Sequence, residues 1–452
     1  MPQPNNKQRR DDRLQTFSEL LGEGTLAQVS QALAEMHPAE IAHLLEALPP
    51  AQRTAVWELV AAEDDGDVLT HVNDEVRAQL IRDMDSSELV AAAEGLEADD
   101  LADILSDFPD NVTEQVLRAM DAQRRHRLEA VMSYPEDSAG GLMNTDTVTV
   151  RADISLDVVL RYLRRIGEIP ETTDQLIVVD RDDRYLGLVA LTTLLVKPTA
   201  TTVAEVMTRD QEGILATTPE REVAQLFEKR DLVSAPVVDA AGRLLGRITI
   251  DDVVDVIREE AEHSLMSMAG LSEEDDMFAP VITSSRRRTL WLGINLLTAL
   301  LASWVIDLFD ATIQKLVALA VLMPIVASMG GIAGNQTLTL VIRGMALGRV
   351  GRGNTRRLLN KELLVGALNG TIWALLVAAV VVLWFHDYRL AAIIACAMLI
   401  NLVVAALAGA TIPLALRRLG VDPALAGGVV LTTVTDVIGF LAFLGLAAMV
   451  LM

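Results

Sequence analysis

A single cysteine, Cys396, in 452 residues has no partner within the chain, so no intrachain disulfide framework holds this protein together. Histidine is also scarce: of six in all, residues 281–452 contain only His386. With no thiolate pair and one imidazole there, the residue types of that half argue for a hard ion held by oxygen. No Walker-type glycine-rich phosphate loop is present, which argues against ATP hydrolysis. Neither a nucleophile with its base nor a catalytic metal-ligand cluster marks the chain as an enzyme. The stretch Met1 to Asp12 is polar and lacks an apolar run, so no cleaved signal peptide is expected and residues 1–13 read as disordered.

The charge is lopsided. A formal net charge of -24 beside 51% hydrophobic residues does not describe one ordinary globular domain. Residues 281–452 carry 13 Lys and Arg against 6 Asp and Glu, whereas residues 1–280 carry 25 against 56. An acidic soluble half at -31, which repels nucleic acid and attracts divalent cations, is thus joined to an apolar half at +7 that reads as membrane-embedded.

Residues 14–137 show apolar positions at three- and four-residue spacing throughout, the mark of helices. Met36 to Pro49 aligns without gaps on Leu96 to Pro109, placing Ile41, Leu44 and Leu45 against Leu101, Ile104 and Leu105. Short helices repeated this way stack into a superhelix, usually an interaction or regulatory module. Asp99 and Asp103, four apart, share one side of their helix and on their own read as a solvated acidic face.

From Ser138 to about residue 257 the pattern alternates helix with strand, and a second repeat appears. Val178-Val179-Asp180 with Arg184, Leu186 and Gly187 returns as Val237-Val238-Asp239 with Arg243, Leu245 and Gly246. Each copy reads as strand, turn, strand and helix. The two copies resemble a tandem pair of CBS motifs. That resemblance implies an adenine-nucleotide site in the second copy, where Thr249 and Asp252 match the usual Thr and Asp. The first copy has Ala190 and Thr193 there, and a dimerising, force-transmitting module is the plainer reading of the pair.

An acidic helix is expected from Asp251 to about Pro280, running through Glu273-Glu274-Asp275-Asp276 to meet Arg286-Arg287-Arg288; residues 258–285 form the connecting segment. Uncharged runs then occupy Thr289 to Ile306, Leu316 to Ile342, Leu363 to Phe385 and Leu390 to Leu416, and a last helix starts at Pro423, giving five transmembrane helices over 286–452. Eleven Lys and Arg flank them on one side against Lys315 and Arg389 on the other. The positive-inside rule therefore puts the acidic half in the cytoplasm and the C-terminus outside.

Within the last helix Asp436 lies ~20 Å from Pro423 at ~1.5 Å per residue, near the middle of a ~30 Å hydrocarbon layer. Keeping a carboxylate there costs ~3 kcal/mol even on lenient insertion scales, which points to a cation that it meets. Gly428, Thr432 and Asp436 recur every four residues and share one polar face. A second segment, Gly330-Gly331-Ile332-Ala333-Gly334-Asn335-Gln336 following Pro324, reads either as an irregular stretch turning carbonyls toward a pore or as close helix packing. Asn295, Asn369 and Asn401, one on each remaining helix, read as interhelical hydrogen bonds.

Taken together, the acidic helical domain, the CBS pair, the connecting helix, five apolar helices, the Gly330 to Gln336 run and the Asp422-Pro423-Ala424 to Asp436 run resemble the MgtE family of magnesium transporters over essentially the whole chain. The resemblance implies a multidomain fold: an all-α superhelical N-domain, an α/β CBS pair and an α-helical transmembrane domain. It implies a homodimer in the cell membrane with one pore, Asp436 binding hydrated Mg2+, and Gly331, Asn335, Thr432 and Gly428 lining the path. Cytosolic Mg2+ would be sensed by Asp252, Asp255, Glu260 and Asp422, with Asp99 and Asp103 as further candidates. This chain departs from the family pattern at Ile332, where Asn is usual, and at His263-Ser264, where an acidic pair is expected. Two alternatives stay open: a transporter of Co2+, Mn2+ or Ni2+ through the same oxygen-lined site, and a membrane-anchored nucleotide sensor, which has no need of Asp436.

Overall fold

The acidic half is built from helices too short to stand alone. In the computed structural model, which describes residues 26–451 apart from 95, 171, 272–275 and 352, it opens with nine: α1 (Leu26–Ala34), α2 (Pro38–Glu46), α3 (Pro50–Trp57), α4 (Asp65–His71), α5 (Asp74–Asp83), α6 (Ser86–Ala92), α7 (Ala98–Asp107), α8 (Asp110–Ala119) and α9 (Ala122–Met132). Residues 1–13 and 14–25, with the acidic run Glu273-Glu274-Asp275, lie outside the described residues. The starts are written in the sequence. The side chain of Asn73 accepts the Val76 N–H at 3.0 Å, Asp85 accepts from Ser87 and Glu88, and Pro49 and Pro109 stand immediately before α3 and α8. Helices of 7 to 11 residues gain stability only by stacking: α2 packs on α4, α4 on α6, α6 on α8, and α3 on α5. The aligned trios Ile41, Leu44, Leu45 and Leu101, Ile104, Leu105 are all buried, so the repeat read from the sequence is a repeat of core positions.

Two small sheets follow, one for each copy of the second repeat. Strands β1 (Thr149–Arg151), β2 (Gln175–Val179) and β3 (Tyr185–Ala190) form the first, with β1 parallel and β3 antiparallel to β2. Between and after them run α10 (Leu156–Ile166), α11 (Leu191–Val196) and α12 (Val203–Val206). The second sheet repeats the plan with β4 (Ile214–Leu215), helix α13 (Glu220–Arg230), β5 (Ser234–Val238) and β6 (Leu244–Thr249). The register slips between the two valines of Val178-Val179 and again between those of Val237-Val238. Beyond each slip an aspartate ties the turn. Asp180 accepts the N–H groups of Asp182 and Arg184, and Asp239 those of Ala241 and Arg243. The turns pair through Tyr185 N–H to Gly242 O and Leu244 N–H to Asp183 O. At the left-handed turn position the second copy has Gly242 (φ 79°) and the first has Asp183 (φ 57°), a residue type that tolerates that region.

Helix α14 (Ile250–Ser267) leaves the second sheet. The chain divides into two units, Met1–Ala261 with Glu274–Ala279 and Glu262–Glu273 with Pro280–Met452, and the division falls inside α14. The expected acidic helix to Pro280 is shorter than the sequence reading made it. It stops at Ser267 because Gly270 turns left-handed at φ 71° and Leu271 N–H bonds back to Met266 O, a glycine-terminated helix end.

The second unit holds α15 (Val281–Asp307), the short α16 (Asp310–Lys315), α17 (Ala318–Ala346), α18 (Thr355–Phe385), α19 (Tyr388–Arg418) and α20 (Pro423–Leu451). All but α16 are long and apolar enough to cross a bilayer, at 27 to 31 residues each. Helix α15 begins ahead of its uncharged run because Pro280 caps it, which takes Arg286 to Arg288 into the helix. Helix α19 is central and packs on α17, α18 and α20. Helix α17 runs unbroken through Pro324, Gly330, Gly331 and Gly334, so the irregular-backbone reading of that segment is corrected to helix packing.

Candidate functional site

Helix α20 has a packed side and an open side. Its first turn is capped by Asp422, whose Oδ1 accepts the Ala424 N–H at 2.9 Å. On the packed side, a Cβ built on Gly427 would lie 3.1 Å from Leu338 and one on Gly439 would lie 2.8 Å from Asn401 Nδ2, while Leu431 and Thr435 are buried. On the open side, a Cβ at Gly428 would meet nothing within 4 Å, and Thr432 is exposed with its hydroxyl returned to Gly428 O at 2.9 Å. Asp436 belongs to this open side. It is half-buried, and no side chain among the described residues hydrogen-bonds its carboxylate.

Helix α17 divides the same way. A Cβ on Gly330 would come within 2.3 Å of Asn401 Nδ2 and one on Gly334 within 2.9 Å of Leu431, whereas Gly331 faces open space and Asn335 is exposed. Asn401 is 0% exposed and donates from Nδ2 to Val326 O on α17 at 2.8 Å, so it is an interhelical bond as expected. The other two asparagines are corrected. Asn295 donates to Trp291 O one turn back on its own helix, and Asn369 sits on an exposed face. A pair of substitutions separates the roles of the glycines. Gly330→Ala is expected to cost ~1–3 kcal/mol by overpacking Asn401, and Gly331→Ala to leave stability within ~0.5 kcal/mol; thermal unfolding in detergent checks both, and equal effects would contradict this packing.

In the first unit, carboxylates of α7 meet those of α14. Asp99 occupies the position that Ala39 holds in the repeat and is 7% exposed, with Oδ1 lacking any hydrogen bond; it is not part of a solvated face. Burial, then Asp252, Asp100 and Glu97, push its carboxyl up, and burial pushes Asp252 up as well. Burial and Glu97 raise Asp100 to about 6. Asp103 keeps an exposed side chain, yet the surrounding protein and Glu136 raise it to about 7; burial and Asp255 raise Glu259 to about 7. Among the described residues no three His, Cys, Asp or Glu side chains converge at metal-binding spacing, so these acids form a field and not a preformed cage.

A carboxyl raised in the folded state binds more protons there than in the unfolded chain, from about pH 4 up to its folded value, so stability falls as pH rises through that interval. Limited proteolysis of the full-length protein without divalent ions should therefore cut the soluble half faster at about pH 8 than at about pH 5.5. Mg2+ at the higher pH should restore resistance, and equal cleavage in all three conditions would contradict this account.

The remaining sensor candidates are differently engaged. Asp252 Oδ2 accepts both the N–H and the hydroxyl of Thr249, at 3.1 and 3.0 Å, so the two nucleotide candidates cap α14 together. Asp255 pairs with Arg258 at 3.4 Å and Glu260 with Arg221. Asp422 Oδ2 lies 3.0 Å from His263 Nε2, so where the family pattern has an acidic residue this chain has a histidine bonded directly to that carboxylate. Sequence reasoning missed Glu362, a buried acid of α18; its only signal was a carboxylate directly following Lys361 at the head of an apolar run.

Three family models match successive parts of the chain. The divalent cation transporter family matches residues 323–446, the MgtE intracellular N domain residues 36–137 and the CBS domain residues 139–197 and 203–259. The magnesium transporter MgtE of Thermus thermophilus is 33% identical over 442 residues, covering 96% of this chain and 98% of the relative. That of Bacillus subtilis is 26% identical over 428 residues, covering 95% of each. The crystal structure of the cytosolic domain of the Mg2+ channel MgtE in complex with ATP is 34% identical, covers 54% of this chain and 99% of that one, and has a TM-score of 0.49. With its helical N-domain, CBS pair and five apolar helices, the chain is a multi-pass membrane protein and belongs to the MgtE family of magnesium transporters.

Proposed function

We propose that this protein moves Mg2+ into the cytoplasm down its electrochemical gradient, along a path lined by Gly428, Thr432 and Asp436 of α20 and by Gly331 and Asn335 of α17. The observation that carries this reading is the Asp436 carboxylate, set on the open side of an apolar helix without a hydrogen-bond partner among the described residues. Mg2+ gives up water reluctantly and is held by one or two carboxylates with its other waters retained. Two Asp436 side chains, one from each subunit of a two-fold dimer, supply that. The absence of thiolate and imidazole ligands favours a hard, oxygen-held ion such as Mg2+ over Co2+ or Ni2+.

Cytosolic Mg2+ closes the path in this reading. It would be held through water by the acids around Asp99, Asp103 and Asp252, with Asp255 and Glu260 as further carboxylates, offsetting their mutual repulsion and drawing α7 toward α14; Asp422 would be a separate sensor carboxylate. Thr249 and Asp252 would hold an adenine nucleotide at the second CBS copy. The distribution of Lys and Arg supports a cytoplasmic N-terminus and an external C-terminus. Mg2+ influx into proteoliposomes containing an internal dye tests the transport reading, and influx no faster than in empty vesicles would sink it. Asp99→Ala vesicles that still admit Mg2+ at high internal Mg2+ would support the gate; shut-off equal to that of the parent protein would remove it.

A further inference from the structure

Asp436 is not the only acid set into the apolar helices. Glu362 on α18 is 3% exposed, and its Oε2 accepts the hydroxyl of Thr337 on α17 at 3.2 Å. Thr337 is itself 6% exposed. The other oxygen, Oε1, lies 3.0 Å from Lys361 Nζ. Burying a carboxylate here is costly, and an apolar pair of the same shape would hold two helices together without that cost.

What the carboxylate adds is direction. Around Thr337, α17 is held on three sides. A Cβ at Gly409 of α19 would lie 2.5 Å from Gly334 O and 2.9 Å from Thr337 Cβ, and Gly334 abuts Leu431 of α20. Glu362 of α18 holds the third side. At 3.6 residues per turn, residues two apart point roughly 200° from each other, so Asn335 faces away from the Glu362 contact, and Gly331, one turn earlier, shares its direction. The fourth side of α17 is therefore the one with open space at Gly331 and exposure at Asn335.

We propose that Glu362 is a positioning residue for ion passage: its bond to Thr337 fixes the rotation of α17 and thereby aims Gly331 and Asn335 at the path. This rests on the reading above that these two residues line the path. Glu362 does not itself meet the ion, because Thr337 and Lys361 occupy its two oxygens and it lies on the far side of α17 from Asn335.

The test uses the full-length protein in proteoliposomes, in a Cys396→Ala background. The rate at which a water-soluble maleimide labels an Asn335→Cys variant reports the aim of α17 without requiring any flux, and Mg2+ influx is measured in parallel with Asn335 intact. Loss of a hydrogen bond to a charged group should change both rates roughly tenfold in Glu362→Ala and in Thr337→Val, with no further change when the two are combined. Glu362→Gln, which keeps an acceptor oxygen, should stay within about twofold of the parent protein. Unchanged labelling in Glu362→Ala or Thr337→Val would overturn the proposal. So would damage from Glu362→Gln equal to that from Glu362→Ala, since the charge and not the bond would then matter. If Glu362→Ala does not fold, Thr337→Val, which keeps the side-chain shape, carries the same decision. Labelling that responds as expected in vesicles whose parent protein passes no Mg2+ would uphold the positioning of α17 and overturn the transport reading instead.

Discussion

Asp436→Ala is expected to reduce Mg2+ influx at least ~100-fold, to the level of empty vesicles, while the protein still inserts and is no less stable than its parent. The two halves of that result have one cause. No side chain among the described residues bonds the carboxylate, so its removal leaves no partner unsatisfied. The packed side of α20 at Leu431, Thr435 and Phe443 is untouched. An acid near the centre of the hydrocarbon costs stability, so its loss should raise the unfolding temperature or leave it unchanged. Flux behaves oppositely. A dication about 5 Å from one carboxylate, at an effective dielectric near 20, gains several kcal/mol, which is worth a factor of ~100 or more in occupancy. Asp436→Asn keeps the shape without the charge and should lose flux equally; Asp436→Glu should keep part of it. Flux near the parent level in Asp436→Ala would mean that the carboxylate is structural and that the ion path runs elsewhere.

Periodicity reveals architecture more readily than it reveals burial. The helical repeat, the doubled Val-Val-Asp turns and the five apolar runs were legible because each rests on local rules: spacing of apolar residues, turn chemistry and helix length. The open face of α20 was legible too, since Gly428, Thr432 and Asp436 are four apart. Side-chain partners far apart in sequence were not. Asp99 read as solvated because nothing near it in the chain shows that α14 covers it. Glu362 follows Lys361 and reads as the charged end of a loop until Thr337 is seen to cap it. The glycines of α17 left two readings open in sequence, and the neighbours decided between them: Asn401 and Leu431 fill the space that side chains at 330 and 334 would take.

Arg53 is expected to be the most sensitive charged position of the soluble half, and it too gives no sign of this in sequence. It lies on α3 at 0% exposure. Its Nε donates to Leu45 O at 2.9 Å and its Nη1 to Gln79 Oε1 at 2.6 Å, while Nη2 donates to Leu48 O at 3.1 Å and Asp276 Oδ2 at 2.8 Å. Two of these acceptors, Leu45 O and Leu48 O, are carbonyls at and just beyond the C-terminal end of α2, where a cation is favoured. Asp276 in turn accepts the Phe278 N–H at 2.9 Å and donates its own N–H to Glu75 at 2.8 Å, so one guanidinium joins α2, α5 and the segment ahead of α15. Arg53→Ala leaves Asp276 Oδ2, Gln79 Oε1 and Leu48 O without the donor they had and should cost ~3–5 kcal/mol. Asp276→Asn leaves Arg53 with three neutral acceptors and should cost ~1–2 kcal/mol. The double variant Arg53→Met with Asp276→Leu should cost less than the two single losses combined, because an apolar pair does not strand a charge. With Trp291, Trp304, Trp373 and Trp384 replaced by Phe, Trp57 on the same helix as Arg53 is the one tryptophan left of five, so its fluorescence during urea unfolding in detergent reports this region. An Arg53→Ala protein within about 1 kcal/mol of its parent would show that the ion pair is dispensable and that apolar stacking alone holds the helices of this half.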